Sequence, residues 1–179
     1  MRVFINAGHN PYHPTDPDPG AGGFGIWEAD VCADIAKMVE KYLTAAGVEA
    51  VGYIQAEPVD IVEAANRTDA DLFISLHCNA ADGTAHGTET FYCVDSKQGS
   101  KYAAVMQNQL VKSLGTVDRG IKDDTQSAVG YLYVLRCTNM PAILIEIAFI
   151  DNYEDNQLLK NEKDKIARAI ARGVTDIGR

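Results

Sequence analysis

Three short apolar runs in this chain each end on, or carry, a side chain that can hold a metal or a proton. Val3–Ala7 leads through Gly8 into His9, Leu72–Leu76 leads into His77, and Ala142–Phe149 carries Glu146 near its middle. Runs of this length that lack polar alternation read as strands buried on both faces, the habit of a parallel sheet with helices above and below. In such sheets sites form beyond the carboxyl ends of the strands. The chain is therefore constrained to bring His9 and His77 to one edge.

The segments between these runs supply the helices. A stripe of Val31, Cys32, Ile35, Val39, Tyr42 and Leu43 predicts a helix from about Trp27 to Ala46, closed by Gly47. Pro58 opens a shorter helix to about Thr68. Tyr102, Val105, Met106 and Leu110 mark a helix over about 99–114, and Ile166, Ile170, Val174 and Ile177 mark a last one over about 162–177. Asn152 and Asp155 have the spacing of a helix cap. Further strands are expected at Val48–Ile54, at Gly87–Cys93 (alternating, near an edge) and at Tyr131–Leu135. Strands alternating with helices indicate an α/β fold: a single domain, residues 1–179, with a mostly parallel, roughly six-stranded central sheet flanked by helices. One segment stands outside this plan. Residues 8–25 hold four of the six prolines and many of the glycines, and a long irregular loop in a compact domain is commonly functional.

Charge and composition narrow the partners. The formal net charge is −9, with 16 basic residues scattered along the chain, which argues against nucleic acid and anionic membrane. No apolar run is long enough to span a bilayer. No basic and apolar leader opens the chain, so it is expected to lack a signal peptide. On that reading the protein stays cytoplasmic until released, or is a fragment of a larger protein. Cys32, Cys78, Cys93 and Cys137 have no paired metal spacing, and free thiols, mostly buried, are expected.

Glu28 falls three and four residues before Val31 and Cys32, on the buried stripe and at the helix start that follows the first strand. It faces the same edge as His9 and His77. Two imidazoles and one carboxylate are a familiar catalytic zinc set that leaves a position for water. Each residue alone has a plainer reading: a strand-end histidine is usually a loop or core residue, and a glutamate at a helix start usually answers the dipole. Their coincidence on one edge favours the metal. His13, four residues after His9, is a rival, but Pro11 and Pro14 oppose the helix that spacing needs. His86 sits in a glycine-rich loop, and Cys78 points to the opposite face from His77. Glu146 interrupts a buried run, so it needs a partner or a raised pKa, and a raised pKa suits a general base.

These residues and their surroundings resemble a family. INAGH (5–9), GxxEADVCADIA (25–36), AAN (64–66), ADLFISLHCNA (70–80), GTETFY (87–92), RGIK (119–122), YVLRCTNMPAILIEIAFIDN (133–152) and IARAIARGV (166–174) follow, in order, the pattern of zinc-dependent N-acetylmuramoyl-L-alanine amidases of type 3. The resemblance implies Zn2+ held by His9, Glu28 and His77, with Glu146 as the catalytic glutamate. It implies peptidoglycan as substrate, cut at the amide between N-acetylmuramic acid and L-alanine. The chain departs from the family pattern at Asn10-Pro11 after the first histidine, at 54–57 after the second strand, and at Ala148. A monomer is expected, and the acidic balance suggests that a separate wall-binding domain follows Arg179. Two other functions fit part of the pattern. A zinc carboxypeptidase-like enzyme shares the ligand set but needs an arginine for a free carboxylate, with Arg67, Arg119 and Arg136 as candidates. An inactive wall-binding module would have no need of all four site residues.

Overall fold

A computed structural model describes residues 1–179, apart from the side chains of Tyr53 and Ile54. The chain opens with β1 (Arg2–Ala7), whose residues after Arg2 are all buried. The proline-rich loop ends in a two-stranded hairpin, β2 (Gly22–Gly23) and β3 (Ile26–Trp27). Then come α1 (Glu28–Ala45), β4 (Glu49–Ile54), α2 (Pro58–Asn66), β5 (Leu72–Asn79) and β6 (Thr88–Tyr92). The second half holds α3 (Lys97–Leu114), β7 (Asp118–Asp123), the helical turn α4 (Tyr133–Arg136), β8 (Ala142–Phe149), α5 (Tyr153–Asn161) and α6 (Lys163–Ile177).

Six strands form one sheet in the order β4-β1-β5-β8-β6-β7. The pairs β1/β4, β1/β5, β5/β8 and β6/β7 are parallel, and β6/β8 is antiparallel. The central strands are apolar on both sides because both faces are covered. On one face Ile35 and Val39 of α1, Met106 and Leu110 of α3 and Ile166 and Ile170 of α6 pack on Ile5, Ile74 and Ile145. On the other, Ile61 and Val62 of α2 and Val134 and Leu135 of α4 pack with Phe4, Phe73 and Leu144. Asn152 Oδ1 caps α5 by accepting from the amides of Glu154 and Asp155, as its spacing predicts. Among the described residues no helix is long and apolar enough to cross a membrane.

The strand count matches the expectation, but one strand differs. Tyr131–Leu135 is not a strand. Its aromatic and branched residues have high strand propensity, yet Val134 and Leu135 are buried through one helical turn at Tyr133–Arg136. The sixth strand is β7, where Ile121 is the sole apolar residue of Asp118–Asp123. It lies at the sheet edge, where burial asks little of the sequence. Nor does Thr88–Phe91 alternate. All four residues are buried, because both faces of β6 are covered: Thr90 bonds to Gln107 of α3 on one, and Phe91 packs in the cluster of Phe73 and Leu144 on the other. All four cysteines are free; Cys32 and Cys78 are buried, whereas Cys93 is half-buried and Cys137 exposed.

Candidate metal centre and active-site groove

Strand order decides which side chains meet. β1 and β5 are neighbours, so the residues just past Ala7 and Leu76 emerge together at the carboxyl edge. The amide of Gly8 donates to the carbonyl of Leu76 at 2.8 Å, which ties the two strand ends. His9 then adopts a left-handed backbone, φ +68°, a conformation rare for a side chain of its size. Gly8 is required beside it: a Cβ there would stand 2.4 Å from His77 Cε1. Gly20, itself at φ +69°, allows an equally close approach, since a Cβ would meet His9 Cδ2 at 2.5 Å and Glu28 Oε2 at 2.6 Å.

Glu28 is the first residue of α1 and is buried. Its carboxylate turns back from the helix. Oε1 accepts from the Cys78 amide and faces His77 Nδ1, both at 2.9 Å. Oε2 accepts from the Ala21 amide and faces His9 Nε2, again both at 2.9 Å. The two imidazoles meet edge-on with centroids 5.1 Å apart. One donor atom from each of His9, Glu28 and His77 lies within 4.8 Å of the others, so the three residues expected to act together do converge. Two nitrogens and one oxygen around a shared gap is the donor chemistry of a catalytic zinc site, and the residues fit such an ion. His13 and His86 take no part. His13 Nδ1 accepts from the Asp16 amide, and His86 is exposed beside the Thr84 carbonyl.

A further carboxylate supports the cluster. Asp18 Oδ2 lies 2.7 Å from His9 Nδ1 and so orients that ring, the arrangement typical of metal-binding histidines. It reaches there because Asn10 and Asp18 pair their backbones across the proline-rich loop. Nothing in the residue order signals this, since Asp18 is nine positions away in a loop with no periodicity. Burial works against charge on His9, but the carboxylates of Glu28 and Asp18 outweigh it and raise its pKa to about 9. Burial likewise opposes charge on Glu28, and the two imidazoles overcome it, holding the carboxyl well below the usual range.

Glu146 is on β8, an interior strand, so the alternative of an edge residue facing water does not hold. It is half-buried, and its Oε2 is sealed with no hydrogen-bond partner. Burial, with repulsion from Glu28 and Glu89, raises its pKa to about 7 against the pull of His77. All four residues line one groove of about 750 Å3. Glu89, Arg119 and Lys122 line it too; of these the sequence singles out only Arg119, as a candidate anchor for a free carboxylate in the carboxypeptidase-like alternative.

Comparison with known proteins identifies the family. A family model described as N-acetylmuramoyl-L-alanine amidase matches residues 3–176. The amidase LytC of Bacillus subtilis (strain 168) is 37% identical over 180 residues, which cover 96% of this chain and 34% of LytC. The endolysin of Bacillus phage SPP1 is 35% identical over 185 residues, covering 98% of this chain and 65% of the endolysin. The crystal structure of an N-acetylmuramoyl-L-alanine amidase from Clostridium difficile 630 superimposes with a TM-score of 0.87 at 31% identity, over 98% of this chain and 95% of that one. The chain thus spans about a third of LytC and under two thirds of the phage endolysin.

Proposed function

The chain belongs to the N-acetylmuramoyl-L-alanine amidase family, and we propose that it is a zinc-dependent hydrolase of peptidoglycan. It cuts the amide between the lactyl group of N-acetylmuramic acid and the L-alanine of the stem peptide. The observation that carries this reading is one groove that holds both a metal-type donor cluster and a separate carboxylate with an unpartnered oxygen.

His9, Glu28 and His77 are the residues that would hold zinc. When bound, the ion supplies Lewis-acid polarisation of the scissile carbonyl and makes water acidic enough to lose a proton near neutral pH. The rest of the chemistry belongs to side chains. Asp18 keeps His9 oriented through Nδ1. The amides of Ala21 and Cys78 fix the two oxygens of Glu28. The Glu146 carboxylate, whose sealed Oε2 has no protein donor to satisfy it, takes the proton of the attacking water and passes it to the nitrogen of the departing L-alanine. A carboxylate with a pKa near neutrality is suited to both halves of that transfer. All of these residues come from a single chain, so the proposed site needs no second copy.

Turnover of purified peptidoglycan, with and without a chelator, tests the proposal. Solubilisation that stops on chelation and returns with zinc is expected. Full activity in the chelated protein would contradict it. The carboxypeptidase-like alternative predicts release of C-terminal amino acids, and a binding module predicts no turnover.

A further inference from the structure

Glu89 stands opposite Glu146 in the antiparallel register of β6 and β8, so the two carboxylates share one wall of the groove. Glu89 is buried, and its Oε2 accepts from both Arg119 Nε at 2.7 Å and Lys122 Nζ at 2.6 Å. Its Oε1 accepts from Asn79 Nδ2 at 2.9 Å. A buried carboxylate needs one cation to neutralise it. Here two converge on a single oxygen, one cation more than Glu89 itself requires, with Glu146 as the other carboxylate beside them.

Both cations are held rather than free to swing. The Arg119 guanidinium lies over the Phe149 ring at 4.7 Å, and the Lys122 ammonium lies over Phe91 at 5.8 Å. Both remain partly exposed and line the same groove as Glu146. Apart from a long contact of Arg119 Nη1 to the His86 carbonyl at 3.5 Å, their other N–H groups have no protein acceptor among the described residues. Positioned, partly desolvated cationic donors are suited to a planar anion, which a guanidinium fork can grip with two hydrogen bonds.

We propose that Arg119 and Lys122, seated on Glu89, form a subsite for a carboxylate on the peptide side of the substrate. The subsite rests on the amidase reading, because it takes the peptide that leaves from the cut amide. Its place in the sheet sets the reach. β7 is two strands from β8, about 10 Å at the usual strand spacing. An extended peptide advances about 3.4 Å per residue, so the carboxylate lies within roughly three residues of the scissile bond.

The test uses soluble glycopeptides that carry the N-acetylmuramoyl-L-alanine amide, in pairs differing by one carboxyl group in the first three residues. One member has the free acid and the other the carboxamide. The parent protein should favour the acid in kcat/KM by about tenfold or more for one such pair, the range of a hydrogen bond to a charged group. Arg119→Gln and Lys122→Gln should each lower that acid-to-amide ratio by about tenfold, and Glu89→Gln, which frees both cations, should raise it. Should Arg119→Gln fail to fold, Arg119→Lys reads the same ratio with the charge kept and the fork lost. A ratio near one for every pair in the parent, or a ratio unmoved by the variants, overturns the subsite while leaving the amidase reading intact. If neither member is cut at the L-alanine amide, the amidase reading falls and the subsite with it.

Discussion

His77 and Glu146 are register partners on the parallel strands β5 and β8, so an imidazole of the candidate metal cluster and a carboxylate outside it project side by side into one groove. Glu28 takes the other flank of His77, 2.9 Å away. On the proposed reading the two jobs are separated across one strand spacing, with metal binding on one side and proton transfer on the other.

From that separation, Glu146→Gln should keep the metal and lose the chemistry. The change preserves size and removes the base. Zinc content by metal analysis should equal that of the parent, while kcat falls about 10²–10⁴-fold, the contribution of a positioned acid–base group. Loss of zinc in this variant would make Glu146 a ligand.

The same substitution should have the opposite effect on stability. The Glu146 pKa is raised in the fold from 4.5 to about 7, so the folded protein holds a proton that the unfolded chain has released. Stability from this group is then full below pH 4.5 and falls as pH rises toward 7, since the unfolded state binds fewer protons in that window. In the metal-free protein Glu146→Gln should be more stable than the parent at pH 8, by roughly 3 kcal/mol, and equal to it at pH 4. Urea unfolding at the two pH values reads the difference. Equal stabilities at pH 8 would mean that the buried carboxylate is solvated after all.

Asp18→Asn tests the support of the cluster. The amide keeps the shape but removes the charge 2.7 Å from His9 Nδ1. Zinc affinity, measured by competition with a chelating dye, should weaken about 10–100-fold, with the stoichiometry unchanged at saturation. Unchanged affinity would reduce Asp18 to a loop residue.

Removing a donor of the cluster itself should be more severe. His9→Ala and His77→Ala should each lose zinc and activity together, because two protein donors rarely hold a catalytic zinc. Full metal content in both variants would break the assignment.

The cluster residues were legible because each sits on a regular element or just past its end. Strand ends and a helix start have predictable directions, so His9, Glu28 and His77 could be set on one edge from periodicity alone. Glu146 was legible because a carboxylate in an unbroken apolar run has to be explained. Asp18 was not, since its place depends on how residues 10–18 fold back, and that loop has no period. Lys122 was missed, and Arg119 was singled out only for the carboxypeptidase-like alternative, for a related reason. Their strand is an edge with one apolar residue, while Tyr131–Leu135, with a stronger strand composition, is bent into a helical turn by the burial of Val134 and Leu135.

The bond that is cut tests the account most directly. Purified peptidoglycan digested by the zinc-loaded protein should yield new amino termini, and labelling followed by hydrolysis should identify them as L-alanine, with no new reducing sugar ends. New reducing ends, or new termini on any other amino acid, would contradict it.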